Sequence, residues 1–316
     1  MFPAIDTDRR VALLFHVSLR PAAGEGIFTA KFNIDGHEHR YVGRSPVPRD
    51  LTTMRPVANE RIRFDVVEPG ERFHIGYDGE ELSADVTYTA RFPAYDFEDG
   101  PKAPKESTLG DLGRSVFPFH HYEQGLVHEG TITFKVGERA GETIEIAGYA
   151  NRDHSWGWRE DLSFHFHHWI CASFADRYIQ GSVMHESSYP DPKPGGWIST
   201  DAGNDPVVDI DYSDAYWLAP NEPIPPIDRV VRYRLTTLAG EVATLVAHVD
   251  EDLGRLYLDL RAPDHAQAYQ DVQLFLPFTL LETGQRGAGV LELGKKLEGA
   301  EKVEAARRRS ASRVSA

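Results

Sequence analysis

The stretch "RIRFDVVE" (61–68) alternates, with Ile62, Phe64 and Val66 at every second position, and "LSADVTYTARF" (82–92) repeats the pattern. A period of two puts successive side chains on opposite faces of an extended strand, so these segments read as half-buried strands. Between such runs lie short loops rich in Gly, Asp and Pro: "IDGH" (34–37), "EPGE" (68–71), "YDGE" (77–80) and "GERAGE" (137–142). Loops of that length and content fold a strand back on its neighbour. The chain is therefore expected to be an antiparallel meander.

Strands are predicted near 27–34, 37–43, 61–68, 71–77, 82–92, 127–136, 142–151, 163–174 and 176–186. The segment "SSYPDPKPGG" (187–196) then reads as a loop and a domain boundary. Beyond it "VVDIDYS", "VVRYRLTTL", "EVATLVAHV", "RLYLDL", "VQLFLPFTLL" and "GAGVLELG" form a second set of strands, with "TLAGE" (237–241) as a hairpin turn. The expected domains are 1–190 and 191–295, followed by a basic tail over 296–316 that is helical or disordered. The other helix signal lies near 109–116. An all-β chain with two strand sets suggests two closed barrels or two sandwiches, because closure removes exposed sheet edges.

Composition removes several function classes. The net charge of −15 argues against nucleic acid as a partner, since phosphate binding relies on clustered Lys and Arg. No apolar run is long enough to span a membrane. The start "MFPAIDTDRR" lacks the features of a secretory signal, and the lone Cys171 cannot form an internal disulfide, so a cytoplasmic location is expected. There is no G-x-S-x-G elbow, and Cys171 lies on a predicted strand rather than at a helix start that would activate it. "GAGVLELG" (287–294) has the wrong spacing for a dinucleotide fingerprint.

Chemistry concentrates in "GYANRDHSWGWRED" (148–161). On an extended chain Tyr149, Asn151, Asp153 and Ser155 face one way, and Ala150, Arg152, His154 and Trp156 the other. Two readings stand side by side. Asp153 or His154 could transfer a proton in an aromatic-lined pocket, with the indoles of Trp156 and Trp158 against a ligand. Alternatively, the acid and imidazole form a buried corner with Arg152 or Arg159 that locks a domain interface. Downstream, "FHFHHWIC" (164–171) places His165, His167, Trp169 and Cys171 on one strand face, either as an aromatic ligand wall or as the start of a metal site. "FPFHHYEQ" (117–124) mixes aromatic residues with His120, His121 and Glu123 and could line a cavity mouth.

"GYANRDHSWGWR" resembles the Asp-His-x-Trp signature of the carotenoid 1,2-hydratase and AttH-like superfamily. "GAGVLELG" is similar to the Gly-x-Gly-x-x-Glu strand that closes the second domain in that superfamily. The form "RDHSWG" resembles an uncharacterised bacterial branch, and the likeness runs from about residue 25 to 295. This chain departs from the hydratase-type motif in placing Ser155, not Asn, after the Asp-His pair. The resemblance implies an all-β fold of two tandem lipocalin-like antiparallel β-barrels. It also carries over Asp153, His154, Trp156 and Glu292 by motif position.

The expected function is that of a cofactor-independent enzyme protonating an alkene in an apolar isoprenoid- or polyketide-like small molecule, leading to hydration, cyclisation or isomerisation. Asp153 and His154 would be catalytic. Tyr149, Trp156, Trp158, His165, His167, Trp169, His121 and Glu292 would contact the substrate, with no metal or cofactor. Two rivals remain: a non-catalytic carrier of a hydrophobic small molecule, and a metal-dependent barrel enzyme using His165 and His167.

Overall fold

The computed structural model describes residues 1–51, 55–97, 119–157, 164–186, 191–213, 229–261 and 267–311. The predicted helix near 109–116 and Trp158 lie outside the described residues. The chain is all-β and builds two tandem lipocalin-like antiparallel sheets, one a closed eight-stranded barrel and one a curled half-barrel. It divides into two compact units, Met1–Ala94 with Gln124–Asp153, and Tyr95–Glu123 with His154–Ala316. Among the described residues no helix is long and apolar enough to cross a membrane.

The half-barrel sheet holds β1 (Phe2–Asp6), β2 (Val11–Arg20), β3 (Glu25–Ile34), β4 (His37–Pro46), β5 (Val57–Ala58), β6 (Ile62–Glu68), β7 (Arg72–Asp78), β8 (Leu82–Ala90), β9 (Tyr95–Asp96), β10 (Phe119–Phe134) and β11 (Thr143–Gly157). Its order is β4-β3-β2-β1-β11-β10-β8-β7-β6-β5, with β9 beside β10. By sequence, β9, the start of β10 and the end of β11 fall in the second unit. The predicted turn at 34–37 is present: Asp35 and Gly36 take φ of 53° and 87°, the paired left-handed residues of a tight hairpin. Two strands, β1 and β2, precede the predicted start near 27. Val11 to Phe15 are all buried, so this strand has no alternation to read.

The first unit's core gathers Leu13, Phe15, Phe28, Phe32, Ile75, Tyr88 and Leu126, all fully buried or nearly so. Each such side chain contributes about 1.5–3 kcal/mol by leaving water. His128 is buried beside Tyr88, their ring centroids 6.3 Å apart. Burial lowers the His128 pKa to about 4, against the opposing pull of Asp6.

The second sheet holds β12 (Phe164–Ser173), β13 (Tyr178–Glu186), β14 (Lys193–Thr200), β15 (Gly203–Asp211), β16 (Val230–Thr237), β17 (Val242–His248), β18 (Gly254–Arg261), β19 (Gln267–Leu280) and β20 (Gln285–Glu298). Its order is β17-β16-β15-β14-β13-β12-β20-β19-β18, and β17 also pairs with β19, so eight strands close into a ring with β18 outside it. The predicted turn at 237–241 closes through Thr237 N–H to the Glu241 carbonyl at 2.9 Å. β12 and β13, which precede residue 190, pair within this sheet. "KPGG", expected in a loop, instead opens β14. Ile170, Ile179, Val183, Leu235, Leu245, Leu274, Phe278 and Leu291 fill the barrel. Residues 296–298 of the expected tail still belong to β20, and a helix, α1 (Ala300–Ala311), follows and seats Val303 against Ala268 and Leu297.

Candidate functional site

On β12 the residues Phe166, His168, Ile170 and Ala172 belong to the barrel's filling or to its neighbours, so His167, Trp169 and Cys171 point outward. Directly opposed residues of an antiparallel pair share a face. The register therefore extends an outward grid across five strands. His167 lies opposite Gly294 and Met184, Trp169 opposite Glu292 and Ser182, and Cys171 opposite Val290 and Gln180. β19 adds Asp271 opposite Gly294 and Gln273 opposite Glu292, while β14 brings Gly195 and Trp197 opposite Ser182 and Gln180.

The His167 ring is held at both nitrogens: Nδ1 lies 2.7 Å from the Tyr269 hydroxyl and Nε2 lies 3.1 Å from Glu292 Oε1. Gln273 donates from Nε2 to the other Glu292 oxygen at 2.5 Å, and Asp271 Oδ1 stands 3.9 Å from His167 Nε2. The Asp271 side chain is fully buried, and those of His167 and Glu292 are 12% and 14% exposed, so water screens this group of charges weakly. Gly294 makes the arrangement possible. A Cβ there would fall 2.2 Å from His167 Cε1 and 2.6 Å from Tyr269 Cε1.

This frame tolerates a change of protonation. A neutral His167 donates from Nε2 to Glu292 and accepts at Nδ1 from the Tyr269 hydroxyl; a protonated one donates at both positions as the hydroxyl rotates. A proton can thus enter and leave without the ring moving. The same three acidic and imidazole groups, His167, Asp271 and Glu292, place one potential ligand atom each within 4.8 Å of the others, a spacing a divalent cation could also use. The next residue, His168, faces inward and differs sharply. Its Nδ1 lies 3.0 Å from the Tyr233 hydroxyl, and burial, reinforced by His167 and Lys295, depresses its pKa to about 3. It is neutral under ordinary conditions.

Within the same unit, aromatic groups from β9 and β10 pack over this outer wall. His121 stacks on Trp169 at 5.3 Å, Tyr95 on Trp197 at 4.5 Å, and Phe97 lies 5.8 Å from Trp169. Glu123 is fully buried, with its carboxylate accepting from the Tyr178 hydroxyl at 3.4 Å and 3.3 Å from His121 Nε2. Beside it, Gln180 and Ser182 are also fully buried. Among the described residues, the Gln180 carboxamide and the Ser182 hydroxyl have no hydrogen-bond partner. Leaving a buried polar group unmatched costs about 1–3 kcal/mol, so each requires an explanation.

The residues singled out from sequence are distributed over both units. His167, Glu292, Trp169 and His121 meet in the second unit as described. His154 is exposed and stacks on Tyr122 at 5.0 Å, while Trp156, 45% exposed, stacks on His120 at 4.9 Å. Asp153 is half-buried in the first unit, and its main chain fastens the N-terminus: its N–H donates to the Met1 carbonyl at 3.0 Å and its carbonyl accepts from the Met1 amino group at 2.7 Å. Tyr149 lies in the first unit under the Arg91 guanidinium, 5.1 Å from it. His165 is exposed next to a register shift in β12, its ring 4.9 Å from that of His185. Sequence reading named Glu123 beside His121 but did not single out Tyr269, Asp271, Gln273, Gln180 or Ser182. "AYQDVQLF" (268–275) carried a signal, because its alternation sets Tyr269, Asp271 and Gln273 opposite Val272 and Leu274.

No curated protein matches the chain. Among solved structures, kievitone hydratase from Nectria haematococca aligns with a TM-score of 0.56 at 14% identity, covering 92% of this chain and 86% of that one. CghA aligns with a TM-score of 0.57 at 12% identity, covering 95% and 87%. CghA with Sch210972 gives 0.57 and 12%, covering 94% and 86%. At these identities the likeness is one of fold, the tandem lipocalin-like architecture built up above. A family model described as "Domain of unknown function (DUF7064)" matches residues 1–295, and the chain belongs to that family.

Proposed function

We propose that this protein is a cofactor-independent enzyme that transfers protons to and from an unsaturated small molecule, with hydration or its reverse as the leading reaction. One observation carries the reading: His167 is suspended between the Tyr269 hydroxyl and Glu292, beside buried Asp271. An imidazole so placed can give a proton and take one back, as addition across a double bond requires. In hydration, protonated His167 gives its proton to one alkene carbon, forming the C–H bond. The cationic carbon that results is stabilised by the Glu292 and Asp271 carboxylates. Water adds to it, its released proton passes to Glu292, and from there it returns to His167. The sum is alkene plus water to alcohol. That a fold relative is named as a hydratase supports this choice of reaction.

The Asp-His-x-Trp resemblance adds Asp153 as a second candidate acid, with His154 orienting it. It also points to an apolar, isoprenoid- or polyketide-like substrate and to the branch with the "RDHSWG" form, acting in the cytoplasm. Native mass spectrometry of the protein purified from cells, followed by incubation of the retained organic ligand in D2O, tests the reading. Wild-type protein should wash deuterium into carbon positions of the ligand, and Glu292→Gln should not. Equal exchange by both removes the His167–Glu292 mechanism. Asp153→Asn tests the motif assignment separately: lost exchange with stability unchanged to within about 1 kcal/mol assigns the carboxyl a chemical role.

A second reading rests on the donor set of His167, Asp271 and Glu292. A bound divalent cation would make the protein a metal enzyme, with Tyr269 steadying the His167 ring from behind. Elemental analysis of the purified protein decides between them. A stoichiometric metal lost from His167→Ala favours this second reading.

A further inference from the structure

From the outer wall of the closed barrel we infer that Gln180 and Ser182 form a recognition subsite for an oxygen function on the substrate, a hydroxyl or carbonyl group. The inference rests on the proton-transfer reading and narrows its substrate class to oxygenated alkenes rather than bare hydrocarbons. Both side chains are fully buried, and neither has a hydrogen-bond partner among the described residues. They are not on the barrel's inner side, because Ile179 and Val183, which alternate with them, fill the interior. Their register partners, Cys171 and Trp169, place them on the face that carries His167 and Glu292.

Gly196 lets the main chain and the carboxamide of Gln180 come close to β14. Gly196 has φ of 130°, and a Cβ there would lie 2.2 Å from the Gln180 carbonyl oxygen and 2.6 Å from its Oε1. A folding role is served better by an apolar side chain at 180, which would not need a partner. The placement also suits a substrate. Ser182, Trp169 and Glu292 occupy one cross-strand row, so Ser182 lies two strand spacings from Glu292, about 9–10 Å. Trp169 lies between them. A molecule anchored through its oxygen at Gln180 and Ser182 can extend its unsaturated part along the Trp169 row to the His167–Glu292 pair. The carboxamide supplies a donor and an acceptor and the serine hydroxyl either, which matches a hydroxyl or carbonyl oxygen and offers nothing to a hydrocarbon.

The test compares probes that differ by one hydroxyl, farnesol against farnesene and 4-allylphenol against allylbenzene. Binding is measured on the full chain by tryptophan fluorescence. For wild-type protein, the hydroxylated member of at least one pair should bind at least about tenfold more tightly, since a site built to hydrogen-bond an oxygen discriminates against the analogue lacking it. In Gln180→Leu/Ser182→Ala the ratio should fall toward one, with the melting temperature unchanged or raised. Should that variant fail to fold, Gln180→Glu is the substitute, and it should shift preference toward the hydroxyl donor. Equal wild-type affinity within both pairs, or a preference that survives in the variant, overturns the subsite. Binding of no probe at all overturns the subsite and the reading beneath it together. Discrimination that depends on Gln180, without deuterium exchange in the bound ligand, leaves the subsite standing and removes the proton-transfer mechanism.

Discussion

Two clusters of histidine and aromatic side chains stand in the second unit, and they differ in what surrounds them. At the ends of β10 and β11, His154 stacks on Tyr122 and Trp156 on His120, and both His154 and Trp156 are exposed. On the outer wall of the barrel, His167 is anchored at both ring nitrogens and flanked by two carboxylates with little exposure. Residue type alone does not separate the two. Burial and fixed hydrogen bonds do, because they hold an imidazole in one orientation and keep water from screening its neighbours.

The largest predicted effect breaks the comparison if it fails. His167→Ala and Glu292→Gln should each reduce ligand deuterium exchange by about 10²–10⁴-fold, the range of a general acid or base. His154→Ala, which removes a ring stacked at the surface, should change it by no more than a fewfold under the same reading. The reverse order, with His154 indispensable and His167 dispensable, would place the chemistry at the motif instead.

A second contrast lies between adjacent residues, His167 facing outward and His168 facing inward. The folded-state pKa of His168 is depressed to about 3, below its ordinary value, and that of His128 in the first unit's core to about 4. Below pH 6.5 the unfolded chain therefore takes up protons that the folded chain refuses. The contribution of these two rings to stability is complete above pH 6.5 and declines as the pH falls toward about 3, by several kcal/mol in total as an order of magnitude. Urea midpoints measured across this range should fall in wild type and fall less in His128→Leu. A flat wild-type profile would mean that these rings accept protons in place.

Smaller again is the effect of Gly294→Ala. The new methyl must displace the His167 ring, so a loss of about 1–3 kcal/mol in stability is expected, together with lost exchange activity. The equivalent change at Gly36, where no atom lies within 4 Å of the new methyl, should cost stability through its positive φ and leave activity intact. Activity loss at both positions would point to a general loosening of the fold rather than to a displaced imidazole.

Alternation and turn chemistry made most of this architecture readable. "IDGH" and "TLAGE" are turns, and β6 to β8 lie where period two placed them. β2 escaped because Val11 to Phe15 are buried without alternation, and β14 because "KPGG" carries the residues of a loop while serving as a strand that seats Gln180. At the site, His167 and Glu292 could be named from strand parity and motif position, but their contact could not. It depends on β12 pairing with β20, residues 125 positions apart in sequence. Asp271 and Gln273 looked like the polar face of an ordinary strand until that pairing placed them beside an imidazole.

The smallest predicted effect concerns Trp156, whose aromatic prominence in "RDHSWGW" invites a large role. At 45% exposure, stacked on His120 and edge-on to Tyr122 and His154, its replacement by Ala should cost about 1–2 kcal/mol, the scale of a few partly exposed aromatic contacts. Thermal unfolding of Trp156→Ala with the retained ligand present and absent checks this. If the loss appears only with ligand present, the indole touches the ligand and the exposed cluster joins the site. If it is small in both, the exposed stack is surface structure, and the distinction between a motif rich in reactive side chains and a place built to use them holds.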